Sequence, residues 1–221
     1  MKLLAIDTAG VDCSTAVYDT DRSEVLSQAT ERMGKGHAER LMAMIDEVLA
    51  QARLDLQDIE RVAVTVGPGS FTGIRVGVAA ARGLALALGV EAVGVTTLET
   101  MARAHLAEVP TEARPIIAAM DAKRNEIYVQ AFSANGRPLD DPAIVPLDSL
   151  KSMAERLGAT VIGTAAALLQ GVPGSTDPDR FDIATVARIA ASAPPGAARP
   201  KPLYLRGPDA KPQDGFALAR A

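Results

Sequence analysis

Apolar residues run unbroken through Leu3-Leu4-Ala5-Ile6 and stop at Asp7, which predicts a strand ending in an acid. Residues 14–18 form a second strand after a turn, and the looser alternation over 24–31 predicts a third. At residue 37 the period changes. Leu41, Met44, Ile45, Val48, Leu49 and Ala52 recur at helical intervals, which predicts an amphipathic helix over 37–53 lying on one face of the sheet. β-branched residues return over 61–66 and lead straight into Gly67, and a second helix is predicted over 72–88, closed by Gly89. A short strand at 91–95 and a helix carrying Leu98, Met101, Ala102 and Leu106 then lead to a linker between Pro110 and Pro115.

The second half opens as the first did. Ile6-Asp7-Thr8 leading to Ala16-Val17-Tyr18 is matched by Met120-Asp121-Ala122 leading to Ile127-Tyr128-Val129. Strands are predicted at 116–121, 126–132, 143–147 and 160–162, with helices at 149–157 and 184–192. The reading is an α/β protein of two lobes built from one duplicated strand-hairpin-helix unit. The first lobe spans 1–108, the second 109–193, and a proline-rich tail over 194–221 packs on the body through Leu203, Tyr204 and Leu205.

Composition narrows this picture. Of 221 residues, 48% are hydrophobic and 23% charged, as in a globular protein, while aromatics are only 3% and Trp is absent, so Ala, Val, Leu and Ile must build the core. The single cysteine, Cys13, cannot form an internal disulfide, which fits a reducing, cytoplasmic setting. The first apolar run is too short for a signal peptide or a membrane span, and no membrane association is expected. A net charge of −4 excludes a global basic field for nucleic acid, so any RNA contact is local or made through a partner. Arg199, Lys201, Arg206 and Lys211, opposed only by Asp209, read as a solvated basic tail, the alternative being a phosphate contact.

The most informative stretch is Gly67-Pro68-Gly69-Ser70-Phe71-Thr72-Gly73-Ile74-Arg75-Val76-Gly77. A strand feeding a glycine-rich turn and a helix N-terminus aligns backbone N–H groups toward an anion. The turn lacks the Lys-Ser/Thr ending of a nucleotide P-loop, and Gly67, Gly69 and Gly73 miss the dinucleotide spacing by one residue. The helix has its own message. Gly73, Gly77, Ala81 and Ala85 fall four apart, and Ala80, Gly83 and Ala87 widen the same smooth surface. Glycines inside a helix cost up to about 1 kcal/mol each against Ala, so close packing must compensate, either within the fold or against another chain. Gly73, Val76, Gly77, Ala80, Ala81 and Leu84 are the candidate partner interface.

Other chemistry is sparse. His37 and His105 are far apart, neither pairs at metal-ligand spacing, and no metal site is expected. His37 reads as a surface residue at a helix start. Asp7, Thr8 and Asp121 mark a candidate cleft, where strand-end carboxylates either bind Mg²⁺ or, as the favoured reading, cap turns. Ser70 and Thr72 have no base at hand, and no catalytic residue is assigned.

The glycine turn, Ile6-Asp7-Thr8, His37-Ala38-Glu39, Asp121-Ala122-Lys123-Arg124 with Glu126 and Tyr128, and Pro202-Leu203-Tyr204-Leu205-Arg206 together resemble the bacterial TsaB (YeaZ-like) family over nearly the whole chain. The first helix departs from the family's His-Ser-Glu and following proline at Ala38 and Ala43. The resemblance implies an actin-like ATPase (ASKHA) fold and a part in threonylcarbamoylation of the adenosine beside the anticodon of tRNAs reading codons that begin with A. It implies a non-catalytic scaffold that binds the catalytic TsaD subunit, works with the P-loop ATPase TsaE, forms homodimers in isolation and meets tRNA only through the complex. ATP or ADP with Mg²⁺ is then expected at the level of that complex, at the cleft or at the joint interface. The alternative is an ASKHA-type phosphotransferase or hydrolase acting by itself, with the 67–72 turn and Asp7 as its phosphate and metal elements.

Overall fold

The computed structural model describes residues 1–171, 179–196 and 199–206. The first sheet contains β1 (Lys2–Asp7), β2 (Asp12–Asp19), β3 (Glu24–Arg32), β4 (Arg61–Gly67) and β5 (Glu91–Thr96), in the spatial order β3-β2-β1-β4-β5. β1 and β2 pair antiparallel, as do β2 and β3, whereas β1–β4 and β4–β5 are parallel. Helix α1 (His37–Ala52) follows β3, α2 (Phe71–Leu88) joins β4 to β5, and α3 (Thr97–Glu108) leaves β5. The second sheet holds β6 (Ile116–Asp121), β7 (Glu126–Phe132), β8 (Ala143–Pro146) and β9 (Thr160–Ile162), in the order β8-β7-β6-β9. Helices α4 (Leu147–Leu157) and α5 (Ala166–Leu169) belong to that half, and α6 is Ile183–Ala191.

Two antiparallel steps and one parallel step occur in the same sequence in both sheets, so β8-β7-β6-β9 repeats β3-β2-β1-β4. Each unit opens on a strand that ends in Asp7 or Asp121. This duplicated α/β arrangement is the two-lobed plan expected of an actin-like ATPase fold.

Burial explains the unbroken apolar run in β1. Leu4, Ile6, Val17, Val62 and Val64 point into one core with Leu41, Met44, Ile45 and Val48 of α1 and Ile74, Val78 and Ala81 of α2. Their strand neighbours Leu3, Ala5, Ala16, Tyr18, Ala63, Val93 and Val95 point to the opposite face, which is covered by Ile183, Val186, Ala187 and Ala190 of α6. Alternate residues therefore serve two different cores, as the period of a strand requires. The assignment of residues 109–193 to the second lobe is corrected here, because α6 lies on the first sheet. Its face packs there since β1, β2, β4 and β5 offer an apolar surface that α1 and α2 do not reach.

Arg61 fixes that return. It is buried at the start of β4, donates from Nη1 to the carbonyls of Ala190 (3.0 Å) and Ala193 (3.1 Å), and meets the Glu91 carboxylate through Nη2 at 2.8 Å. A guanidinium thus satisfies carbonyls at the α6 C-terminus, where the helix dipole favours positive charge.

α3 joins the lobes. Leu98 and Ala102 share one core with Ile116, Ala118, Met120 and Phe132 of the second half. The remaining second-lobe core forms where Ile117, Ala119, Ile127, Val129 and Ala131 meet Leu150 of α4. The helix ends follow ordinary capping chemistry: Ser70, Thr96 and Asp182 accept backbone N–H bonds at the starts of α2, α3 and α6, and Gly89 and Gly158 close α2 and α4 in left-handed conformation.

Candidate functional site

The glycine turn does not stand open as an anion cradle. The Ala9 carbonyl accepts from Ser70 N–H at 2.7 Å, and the Thr8 hydroxyl donates to the Gly73 carbonyl at 2.7 Å. A Cβ on Gly69 would collide with the Ala9 carbonyl and one on Gly73 with the Thr8 carbonyl, while one on Gly77 would lie 2.5 Å from Thr8 Oγ1. The β1–β2 loop therefore rests in a track made by residues 69, 73 and 77. Pro68 is held from the other side, its carbonyl accepting from Thr97 Oγ1 at 2.6 Å.

This decides the packing question for half of α2. Gly73, Gly77, Ala81 and Leu84 are buried within the chain and face the sheet, so they are not a bare contact surface. Val76 and Ala80 are partly buried at the border of that face. Gly83 lies on the opposite side, where an added Cβ would meet nothing within 4 Å. The outward side carries Phe71, Thr72, Arg75, Ala79, Arg82, Leu86 and Ala87. Among the described residues α2 is the one helix long and apolar enough to cross a membrane, and its inner face is packed on the sheet.

Asp7 caps its own turn. Its Oδ1 accepts from Ala9 N–H at 3.0 Å and from Thr65 Oγ1 at 2.5 Å. Burial drives its carboxyl up to about 6 despite these two hydrogen bonds, and the nearby Asp12 charge adds to the rise. Asp121 sits at the equivalent place in the second lobe. Burial pushes its carboxyl up, but the Lys123 ammonium and backbone N–H outweigh it and hold the group below its usual value.

Residues 179–181, which the sequence did not single out, contact both the β1–β2 loop and Thr164, the residue that hydrogen-bonds Asp121. Asp179 accepts from Thr164 N–H (2.8 Å) and Thr164 Oγ1 (2.5 Å), and that same Oγ1 accepts from Asp121 N–H at 3.0 Å. Arg180 reaches the other way and grips Asp12 with Nε and Nη2 at 3.1 and 3.2 Å. Phe181 packs in the core against Gly10, where a Cβ would lie 3.2 Å from the ring. Burial raises the Asp179 carboxyl, with the Thr164 bonds opposing. No motif announces these contacts, since each residue meets a partner far away in sequence.

The expectation of a surface His37 is corrected. It is buried, with Nε2 3.2 Å from the Asp12 carbonyl oxygen, because the start of α1 tucks under the β1–β2 hairpin. Among the described residues no cluster of three His, Cys, Asp or Glu could hold a metal. Among the described residues, the β1–β2 loop lies directly on the glycine turn and the Phe181 ring lies against Gly10.

The tail forms a strap across the lobes. Leu203 N–H donates to the Val66 carbonyl at 2.8 Å, and Pro200 sits against Gly94. Tyr204 accepts from Arg75 Nε at 2.7 Å, and the Arg75 guanidinium lies 3.7 Å over the Phe71 ring. Arg206 then reaches the second lobe, donating from Nε to Glu126 at 3.0 Å and from Nη2 to the Ala122 carbonyl at 3.0 Å. Packing through Leu203 and Tyr204 follows the sequence reading; a solvated Arg206 does not, because the 122–126 hairpin offers it a carboxylate and a carbonyl. Lys211 and Asp209 lie outside the described residues.

Comparison with known proteins agrees with this layout. Residues 24–170 match the family model described as TsaD: tRNA N6-adenosine threonylcarbamoyltransferase. The tRNA threonylcarbamoyladenosine biosynthesis protein TsaB of Escherichia coli is 38% identical over 128 residues, 58% of this chain and 53% of that protein. The chain thus spans about half the length of such curated relatives. An uncharacterised Mycobacterium bovis protein is 30% identical over 210 residues, covering 95% of this chain and 94% of that one. The solved structure of YeaZ from Pseudomonas aeruginosa superposes with a TM-score of 0.74 at 25% identity, over 92% of this chain and 99% of its own. A second solved protein from the same organism, titled as similar to peptidase YeaZ, reaches a TM-score of 0.78 at 26% identity over 93% and 99%. A chain that matches these relatives in sequence and carries their two-lobed fold belongs to the TsaB (YeaZ-like) family.

Proposed function

We propose that this chain is a non-catalytic subunit in the biosynthesis of threonylcarbamoyladenosine on tRNA, in the cytoplasm, and that it acts by docking a catalytic TsaD-type partner on the outward side of α1 and α2. One observation carries the reading: large apolar side chains are left bare on this surface. Leu86 is 80% exposed, Phe71 56% and Met42 of α1 46%. Exposed apolar groups gathered on neighbouring helices mark interaction surfaces. The chain's own Asp179, Arg180 and Phe181 meanwhile contact Thr164, Asp12 and Gly10 beside the two strand-end aspartates. A homodimer through the same helices in the absence of the partner, a P-loop ATPase joining the assembly, and tRNA contact made only through the complex complete the proposal.

The test is co-purification of TsaD from the same organism with wild-type chain and with Leu86→Asp. The variant is expected to stay folded, because the side chain touches little of its own chain, and to lose the complex. An intact complex in Leu86→Asp together with Phe71→Asp overturns the proposal, as does phosphoryl transfer by the purified chain with Mg²⁺-ATP alone.

A further inference from the structure

The C-terminal turns of α2, the turn that follows it and Arg199 of the strap enclose a recess of about 580 Å³. Ala85, Leu86 and Val90 give it apolar walls, and Arg82 and Arg199 line it from two different segments. Among the described residues neither arginine has a carboxylate partner. Glu91 also lines the recess, but its Oε2 is taken by Arg61 at 2.8 Å and its Oε1 by Gly196 N–H at 2.6 Å. None of the 18 positions of α2 is acidic. The recess therefore combines apolar wall with two positive charges that no carboxylate among the described residues pairs with.

Resting on the docking role proposed above, we infer that this recess receives an acidic side chain of the partner, its carboxylate set between Arg82 and Arg199 and its methylenes against Leu86 and Val90. Guanidinium groups suit a planar carboxylate because they offer paired donors. Two alternative occupants fit less well. A second copy of this chain has no acidic residue on its α2 to offer, so a homodimer meeting α2 with α2 leaves the two arginines of the recess without a carboxylate from that helix. A phosphate would need backbone donors, and here the N–H groups of Gly89 and Val90 are spent on the carbonyls of Leu86 and Ala85 at the negative end of a helix.

The experiment is a calorimetric titration of TsaD onto the full chain at low and high salt, for wild type, Arg82→Glu, Arg199→Glu and Leu86→Asp. Each arginine variant should bind about tenfold or more weakly at low salt and show a flatter salt dependence than wild type. Changing one acid of the partner to lysine should restore binding to Arg82→Glu. Arginine variants within about twofold of wild type, while Leu86→Asp abolishes binding, overturn the recess but leave docking on α2 standing. If Leu86→Asp binds normally too, the docking role itself falls. Arginine variants that keep TsaD affinity but lose the homodimer, or lose binding of inorganic phosphate, also overturn the inference. Unchanged thermal unfolding of the variants separates these outcomes from misfolding, and Arg82→Gln serves as the milder substitute.

Discussion

Thr8 donates its hydroxyl to the carbonyl of Gly73 at 2.7 Å, and its own carbonyl occupies the place a Cβ at position 73 would need. The first hairpin and the start of α2 are thereby held at backbone distance. Gly77→Ala, which sets a methyl 2.5 Å from Thr8 Oγ1, is expected to cost about 1–3 kcal/mol, and Gly73→Ala more, because a carbonyl cannot rotate away as a hydroxyl can. Gly83→Ala, on the open side of the same helix, should stabilise by about 0.5–1 kcal/mol. Urea unfolding of the three variants checks both signs at once.

Asp7 gives stability a pH dependence of unusual direction for an aspartate. Its folded carboxyl, raised by burial from 3.8 to about 6, binds a proton more readily than the unfolded chain does. The contribution is fully present below about pH 4 and is lost as pH rises through about 6, a difference of about 3 kcal/mol. Asp7→Asn keeps an oxygen for Thr65 and Ala9 and should flatten the profile between pH 4 and 7. Denaturant midpoints for both proteins across that window decide it; parallel profiles would mean that other groups set the dependence.

Much of the frame was legible in the sequence. The strands 116–121, 126–132 and 160–162 fall where their apolar runs and turn residues put them, and the shared Asp7 and Asp121 endings announced the duplication. Legibility failed where a residue's meaning lies opposite it in space. The spacing of Gly73, Gly77 and Ala81 reveals a smooth face but not that the β1–β2 loop and the sheet fill it. Asp179, Arg180 and Phe181 carry no local signature, and each acts through Thr164, Asp12 or Gly10. The period of α6 shows that it is amphipathic without saying which of two sheets it covers.

Arg206 offers a test of the strap. Its bonds to Glu126 and the Ala122 carbonyl lie near the surface, so Arg206→Ala should cost only about 1 kcal/mol in global stability. The local effect should be larger: hydrogen exchange at Leu203 N–H, bonded to Val66, should speed up by about tenfold. Exchange unchanged at Leu203 would mean that Pro200 and Tyr204 hold the strap without its far anchor.

The docking of α6 on the first sheet also bears on how the chain is made. Emerging from a ribosome, β1 to β5 can pair and gather α1 and α2 early, yet Leu3, Ala5, Ala16, Tyr18, Ala63 and Val93 stay bare until residues 183–190 have been synthesised. The half that is born first is thus the half that finishes last, and a nascent chain must carry an oily sheet face through the whole translation of the second lobe.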